Sequence, residues 1–146
     1  MNTLSLGSSP RGRPPFLIAS TVKCILAQRL VRRICKECRV PYSPTPDELQ
    51  LAGLDPNESL EGFRGKGCLA CRNTGYKGRI GIYELLMVDR DISNLVLENA
   101  PGYQIRELAR KNGMITLLED GVVKIKRGDT TLSEVYETLG TTRIIE

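Results

Sequence analysis

Four cysteines constrain this chain more than any other feature. They stand as Cys35-x2-Cys38 and Cys68-x2-Cys71, two tight pairs separated by 29 residues. A CxxC turn lets two sulfurs approach one ion, and two such turns complete a tetrahedron. Four unlinked thiols or a redox dithiol are the plainer readings, but a dithiol needs only one pair, usually beside a βαβ unit. The sequence contains no His, so no imidazole can act as a ligand, an acid–base group or the partner of a nucleophile. A site filled by four sulfurs has no open position and reads as structural zinc. Iron in a rubredoxin-like centre is the rival ion. The chain has no Trp and no acidic bias near the knuckles, which argues against iron. The fifth cysteine, Cys24, is expected to be a small core hydrophobe.

The energetics favour such a site. Closing a 29-residue loop costs roughly 3 kcal/mol in its length-dependent part. Structural zinc supplies on the order of 10–16 kcal/mol in small peptides. The metal therefore outweighs the closure cost even in a segment that holds Pro41, Pro44, Pro46 and Pro56 and little core of its own.

Charge is arranged in blocks around the knuckles. Residues 11–39 carry eight Lys/Arg against one Glu, residues 40–62 carry five acids and no base, and residues 64–81 carry five bases and no acid. Arg33, Lys36, Arg39, Lys66 and Arg72 lie within two residues of a cysteine ligand and are placed to stabilise thiolates. Basic blocks also raise a nucleic-acid-binding zinc ribbon as an alternative. The knuckles lack the interleaved aromatics that stack bases, so no nucleic acid partner is expected. No run of about 18 apolar residues is present, and residues 1–15 do not have the form of a signal peptide.

Along the chain, residues 1–14 are Gly/Ser/Pro/Arg-rich and read as disordered. Phe16–Ala19 can open a short helix behind Pro14 or Pro15. Ile25–Ile34 fits helix or strand. A short helix is expected around Asp47–Ala52, with loop on either side, and Gly62–Gly67 reads as a flexible lead into the second knuckle. Ile80–Val88 reads as a strand with apolar residues on both faces, hence buried on both sides. The rest is helical. Asp89 caps one helix, Pro101-Gly102 breaks it, and a second ends at Gly113. Two capping boxes, Thr116-x-x-Glu119 and Thr131-x-x-Glu134, start helices that stop at Gly128 and Gly140.

Three stretches carry a family resemblance: LAQRLVRRICKEC, GCLACRNTGYKGRIGIYELLMVD and IRELARKNGMITLLEDGVVKIKRGDTTLSEV. From about Pro15 to Leu139, they resemble the C-terminal end of the hexameric ATPases of type II secretion and type IV pilus assembly. The resemblance implies an α+β, mainly helical fold: a two-stranded remnant of a RecA-like sheet, an inserted tetracysteine zinc module and a C-terminal bundle of short helices. Residues 15–34 and 79–88 would then be the end of the motor domain, 35–78 the insertion, 89–140 a helical subdomain and 141–146 a tail. Ile25–Ile34 becomes a strand. If it pairs antiparallel with Ile34 opposite Arg79, Arg29 falls opposite Glu84.

The resemblance further implies a cytoplasmic protein held at the inner membrane through a platform protein, with neighbouring ATPase subunits in a homohexamer. The arginine of GYKGR, Arg79, is the residue implied to approach nucleotide. No G-x-x-x-x-G-K-[ST] occurs in the sequence, and no acid stands where it would hold Mg²⁺. The chain therefore reads as a fragment, expected to be monomeric and catalytically inactive alone. ATP and Mg²⁺ would belong to the full-length parent.

Overall fold

The computed structural model describes residues 14–143, so the disorder expected of the N-terminal segment concerns residues that lie almost wholly outside them. Pro14 precedes helix α1 (Pro15–Thr21), whose first position is a proline already fixed near helical φ. Strand β1 (Cys24–Ile34) follows, then β2 (Arg39–Tyr42), helix α2 (Pro46–Leu51) and β3 (Gly62–Gly65). A single 3₁₀ turn, Leu69–Cys71, leads to the long strand β4 (Tyr76–Met87). Four helices complete the chain: α3 (Arg90–Leu97), α4 (Gly102–Lys111), α5 (Leu117–Arg127) and α6 (Leu132–Arg143). None of the described helices is long and apolar enough to cross a membrane.

The capping signals act largely as the sequence implies. Asp89 accepts from the Ile92 amide, and Thr116 and Glu119 form a reciprocal box. Gly128 closes α5 at φ 80°, where a side chain is disfavoured. The second box is only half made. Thr131 accepts from the Glu134 amide, but the Glu134 carboxylate turns to Arg32 instead. Helix α6 also continues through Gly140 to Arg143 rather than stopping at the glycine. One glycine costs a helix only about 1 kcal/mol, which does not suffice to end it.

Two two-stranded sheets are present among the described residues, β1 with β4 and β2 with β3. The second runs antiparallel from Arg39 opposite Gly65 to Tyr42 opposite Gly62. The segment expected to be a flexible lead, Gly62–Gly67, is thus partly strand. Its ladder depends on a partner distant in sequence, which local propensity cannot register.

Bonds at both ends of the β1–β4 pair set it antiparallel. Val88 N–H donates to Lys23 C=O and Cys35 N–H to Gly75 C=O, each at 2.9 Å. The expected register would have set Lys23 against Arg90 and Cys35 against Gly78. Between the two bonds β4 carries one residue more than β1. Gly78 stands at φ 81° inside β4, in the left-handed region that favours glycine. Glu84 meets Arg106 of α4 at 3.7 Å, a partner not foreseen from the sequence.

The expectation that β4 is buried on both faces is wrong. Ile82 is fully buried and Ile80 and Leu86 partly so, but Tyr83, Leu85 and Met87 on the alternate face are exposed. Leu26 and Leu30 of β1 are exposed as well, and so is Cys24, which is no core residue. Alternation shows which side chains share a face; it does not supply an element to cover that face.

The chain divides into two units. The first comprises residues 1–27 and 84–115, with a core of Ile92, Val96, Ile105 and Ala109 from α3 and α4, backed by Ile18 of α1 and Leu86 of β4. The second comprises residues 28–83 and 116–146. Its core joins Val31 and Ile82 of the long strands to Leu49 of α2, Leu60, Ile125 of α5 and Val135 of α6. The helices after Asp89 are therefore shared between two cores. Gly121 lets α5 meet α6 closely: a Cβ there would lie 2.7 Å from Val135 Cγ1.

Candidate metal centre

The two knuckles meet in the second unit. Cys35 follows β1 directly, Cys38 precedes β2, and Cys68 caps the 3₁₀ turn that Cys71 ends before β4. Cys35, Cys38 and Cys71 are buried and form a small cluster with Cys68 packed against it. All four sulfurs lie within 4.8 Å of one another. The Cys35–Cys68 and Cys38–Cys71 Sγ separations are 3.8 Å and Cys68–Cys71 is 3.7 Å. Zn–S bonds of about 2.3 Å in a tetrahedron require a sulfur–sulfur edge of about 3.8 Å. A disulfide needs about 2.05 Å. The thiols are thus spaced to share one tetrahedral ion, not to pair with each other.

Backbone geometry builds the second knuckle. The Cys68 and Gly75 amides both donate to Cys71 Sγ at 3.3 Å. Asn73 N–H returns to Cys68 C=O at 2.8 Å, with Arg72 and Asn73 both in the left-handed region at φ 55° and 62°. Gly65 and Gly75 face each other so closely that a Cβ on Gly65 would stand 2.6 Å from the Gly75 Cα. Cys35 N–H then donates to Gly75 C=O, which ties the first knuckle to the second.

Cys71 and Cys38 titrate apart. Burial raises the Cys71 thiol, but the amides of Cys68 and Gly75 outweigh it and bring it down to about 6. Burial and the neighbouring sulfurs push Cys38 up to about 11 despite the Gly67 amide. Four thiolates repel one another in a buried cluster, and a divalent cation relieves that repulsion.

The basic residues beside the ligands do not all face the sulfurs. Arg33 pairs with Asp129 at 3.6 Å. Arg39 stacks over Phe63, 5.0 Å from its centroid, and donates to Gly128 C=O. At Cys71 the thiolate is favoured by backbone amides, which no sequence pattern announces.

A polar clamp supports the centre from the C-terminal side. Glu134, buried at 7% exposure, accepts from Arg32 N at 2.9 Å, Nε at 2.8 Å and Nη2 at 2.6 Å. The Arg32 guanidinium lies 4.2 Å from the Tyr76 ring centroid, and Tyr76 Oη is 2.8 Å from Thr131 Oγ1. Thr130, fully buried, donates to Arg32 C=O, and Ile34 N–H to Asp129 C=O. The 129–134 segment is therefore fastened to the strand that leads into Cys35. Arg79 lies exposed on β4, eight residues beyond Cys71.

Comparison with known proteins places these features in a wider group. The family described as Type II/IV secretion system protein matches residues 6–137. The type IV pilus assembly ATPase PilB of Thermus thermophilus is 44% identical over 127 residues, covering 85% of this chain and 14% of that protein. The type II secretion system protein HxcR of Pseudomonas aeruginosa is 43% identical over 124 residues, covering 85% and 23%. The type II secretion system ATPase E of Vibrio cholerae is 39% identical over 124 residues, covering 85% and 24%. The chain thus spans about a quarter or less of the length of these relatives.

Proposed function

The chain belongs to the type II/IV secretion system protein family, and from that premise we propose that it is the zinc-binding C-terminal portion of a secretion or pilus assembly ATPase. It acts as a structural and interaction region and does not hydrolyse ATP alone. The observation that carries this reading is the four-sulfur cluster where β1 gives way to the module and β4 leaves it. The donor set fits structural zinc: four thiols at tetrahedral spacing, no open position, and amides aimed at one sulfur.

The β1–β4 sheet is the edge of a RecA-like motor domain in this reading. Its support is the apolar outer face: Leu26 is 54% exposed, Leu30 51% and Met87 58%. A further layer of a larger protein would cover such a face. Arg79 faces nucleotide in the assembled parent, where ATP and Mg²⁺ bind. The partners are neighbouring subunits of a homohexamer and an inner-membrane platform protein, reached from the cytoplasm.

The test is metal analysis together with an ATPase assay on the purified chain. One zinc per chain and no turnover above background are expected. Iron, no metal, or turnover that survives removal of contaminating enzymes would overturn the reading.

A further inference from the structure

Beside the sulfur cluster, cations from two strands converge on one concave surface. Arg33 and Lys36 flank Cys35, and Lys77 and Arg79 flank Gly78. Together they line a cavity of about 320 Å³ in which Glu37 is the one carboxylate. Arg33 is partly satisfied by Asp129 at 3.6 Å. Lys36, Lys77 and Arg79 are exposed, and no carboxylate of the described residues pairs with them. The space where a Gly78 Cβ would stand is open, so that part of the wall is clear.

Like charges gathered in a cavity repel, and the two strand ends nevertheless bring these four to one surface. The Cys35–Gly75 bond sets the two strand ends side by side, and Gly78, at φ 81°, turns the backbone between Lys77 and Arg79. Such an arrangement gains most from a ligand carrying several negative charges in a small volume. Two guanidinium forks suit the paired oxygens of phosphate, and two ammonium groups act as point charges around them. A single carboxylate would leave most of the cations unmatched. The volume lies at the small end of ligand pockets, enough for a phosphate chain.

We propose that this cavity binds a multiply charged phosphate group, with Arg33, Lys36 and Lys77 joining Arg79 as its ligands. The proposal deepens the nucleotide-facing role of Arg79 and rests on that reading only for the source of the phosphate. The site itself is a property of this chain alone.

The zinc-loaded chain is titrated with inorganic triphosphate, with ATP, and with phosphatidylglycerol vesicles, by calorimetry and by amide shifts of Lys36 and Gly78. Triphosphate should bind, and at least tenfold more weakly at 300 mM than at 50 mM salt. Lys36→Gln with Lys77→Gln should weaken it at least tenfold while zinc content stays unchanged, and Lys126→Gln should leave it unaltered. Competition between ATP and triphosphate assigns the phosphate to a nucleotide. Binding of triphosphate and vesicles but not ATP upholds the site and overturns the nucleotide role of Arg79. Absence of triphosphate binding, or binding indifferent to the two substitutions, overturns the site and leaves the zinc-module reading standing.

Discussion

Glu134→Gln tests whether the clamp between β1 and α6 stabilises the second unit. Glutamine keeps the shape but removes the charge, and it turns an NH₂ toward one of the Arg32 donors. The Arg32 amide bond at 2.9 Å goes to a carboxylate that is nearly buried, so its loss costs about 1.5 kcal/mol. The guanidinium bonds count for less, because the Arg32 side chain is 54% exposed; about 1 kcal/mol is reasonable after screening. The sum, about 2–3 kcal/mol, should lower the urea midpoint by about 1 M at a slope near 2 kcal/mol per molar. Circular dichroism at pH 7 on the zinc-loaded protein is the assay.

The pH dependence of that difference has a definite sign. Burial raises the Glu134 carboxyl, but the Arg32 side chain and amide more than offset it and hold it below its ordinary value of 4.5. A depressed carboxyl stabilises the fold above its unfolded pKa. That stability is lost as pH falls through the folded value. The gap between wild type and Glu134→Gln should therefore be full at pH 7 and shrink below about pH 4.5. Comparing the two proteins at each pH cancels the metal contribution, which both share. A midpoint shift under about 0.25 M at pH 7 would refute the reasoning.

Two further outcomes are expected. Gly75→Ala should abolish stoichiometric zinc binding, because φ 79° is strained for alanine and its Cβ would run into the backbone of Gly65; a variant retaining one zinc per chain by metal analysis would contradict this. Zinc affinity, measured by competition with a chelator, should fall from pH 7.5 to pH 5.5. Cys71, held at about 6, gains a proton over that interval, and Cys38, near 11, must release one on binding throughout. An affinity independent of pH would show that the thiolates are not the ligands.

The sequence by itself determined the four-cysteine cluster and most helix boundaries. Cysteine spacing and capping residues are local: two residues between thiols define a knuckle, and two between Thr116 and Glu119 define a helix start. The same locality explains the misses. β2 and β3 exist because Arg39–Tyr42 meets Gly62–Gly65 across a Pro-rich span, and no window shorter than that span contains both. Glu134 reads as the second half of a capping box until folding brings Arg32, 102 residues away, within 2.6 Å of its carboxylate. Tertiary structure likewise decided that Leu85 and Met87 stay uncovered, and that backbone amides rather than neighbouring arginines lower the Cys71 thiol. Chain-local chemistry chooses the element and the ligand. What each then touches depends on closures whose entropy is met only by the assembled core and, at the four sulfurs, by the ion proposed to join them.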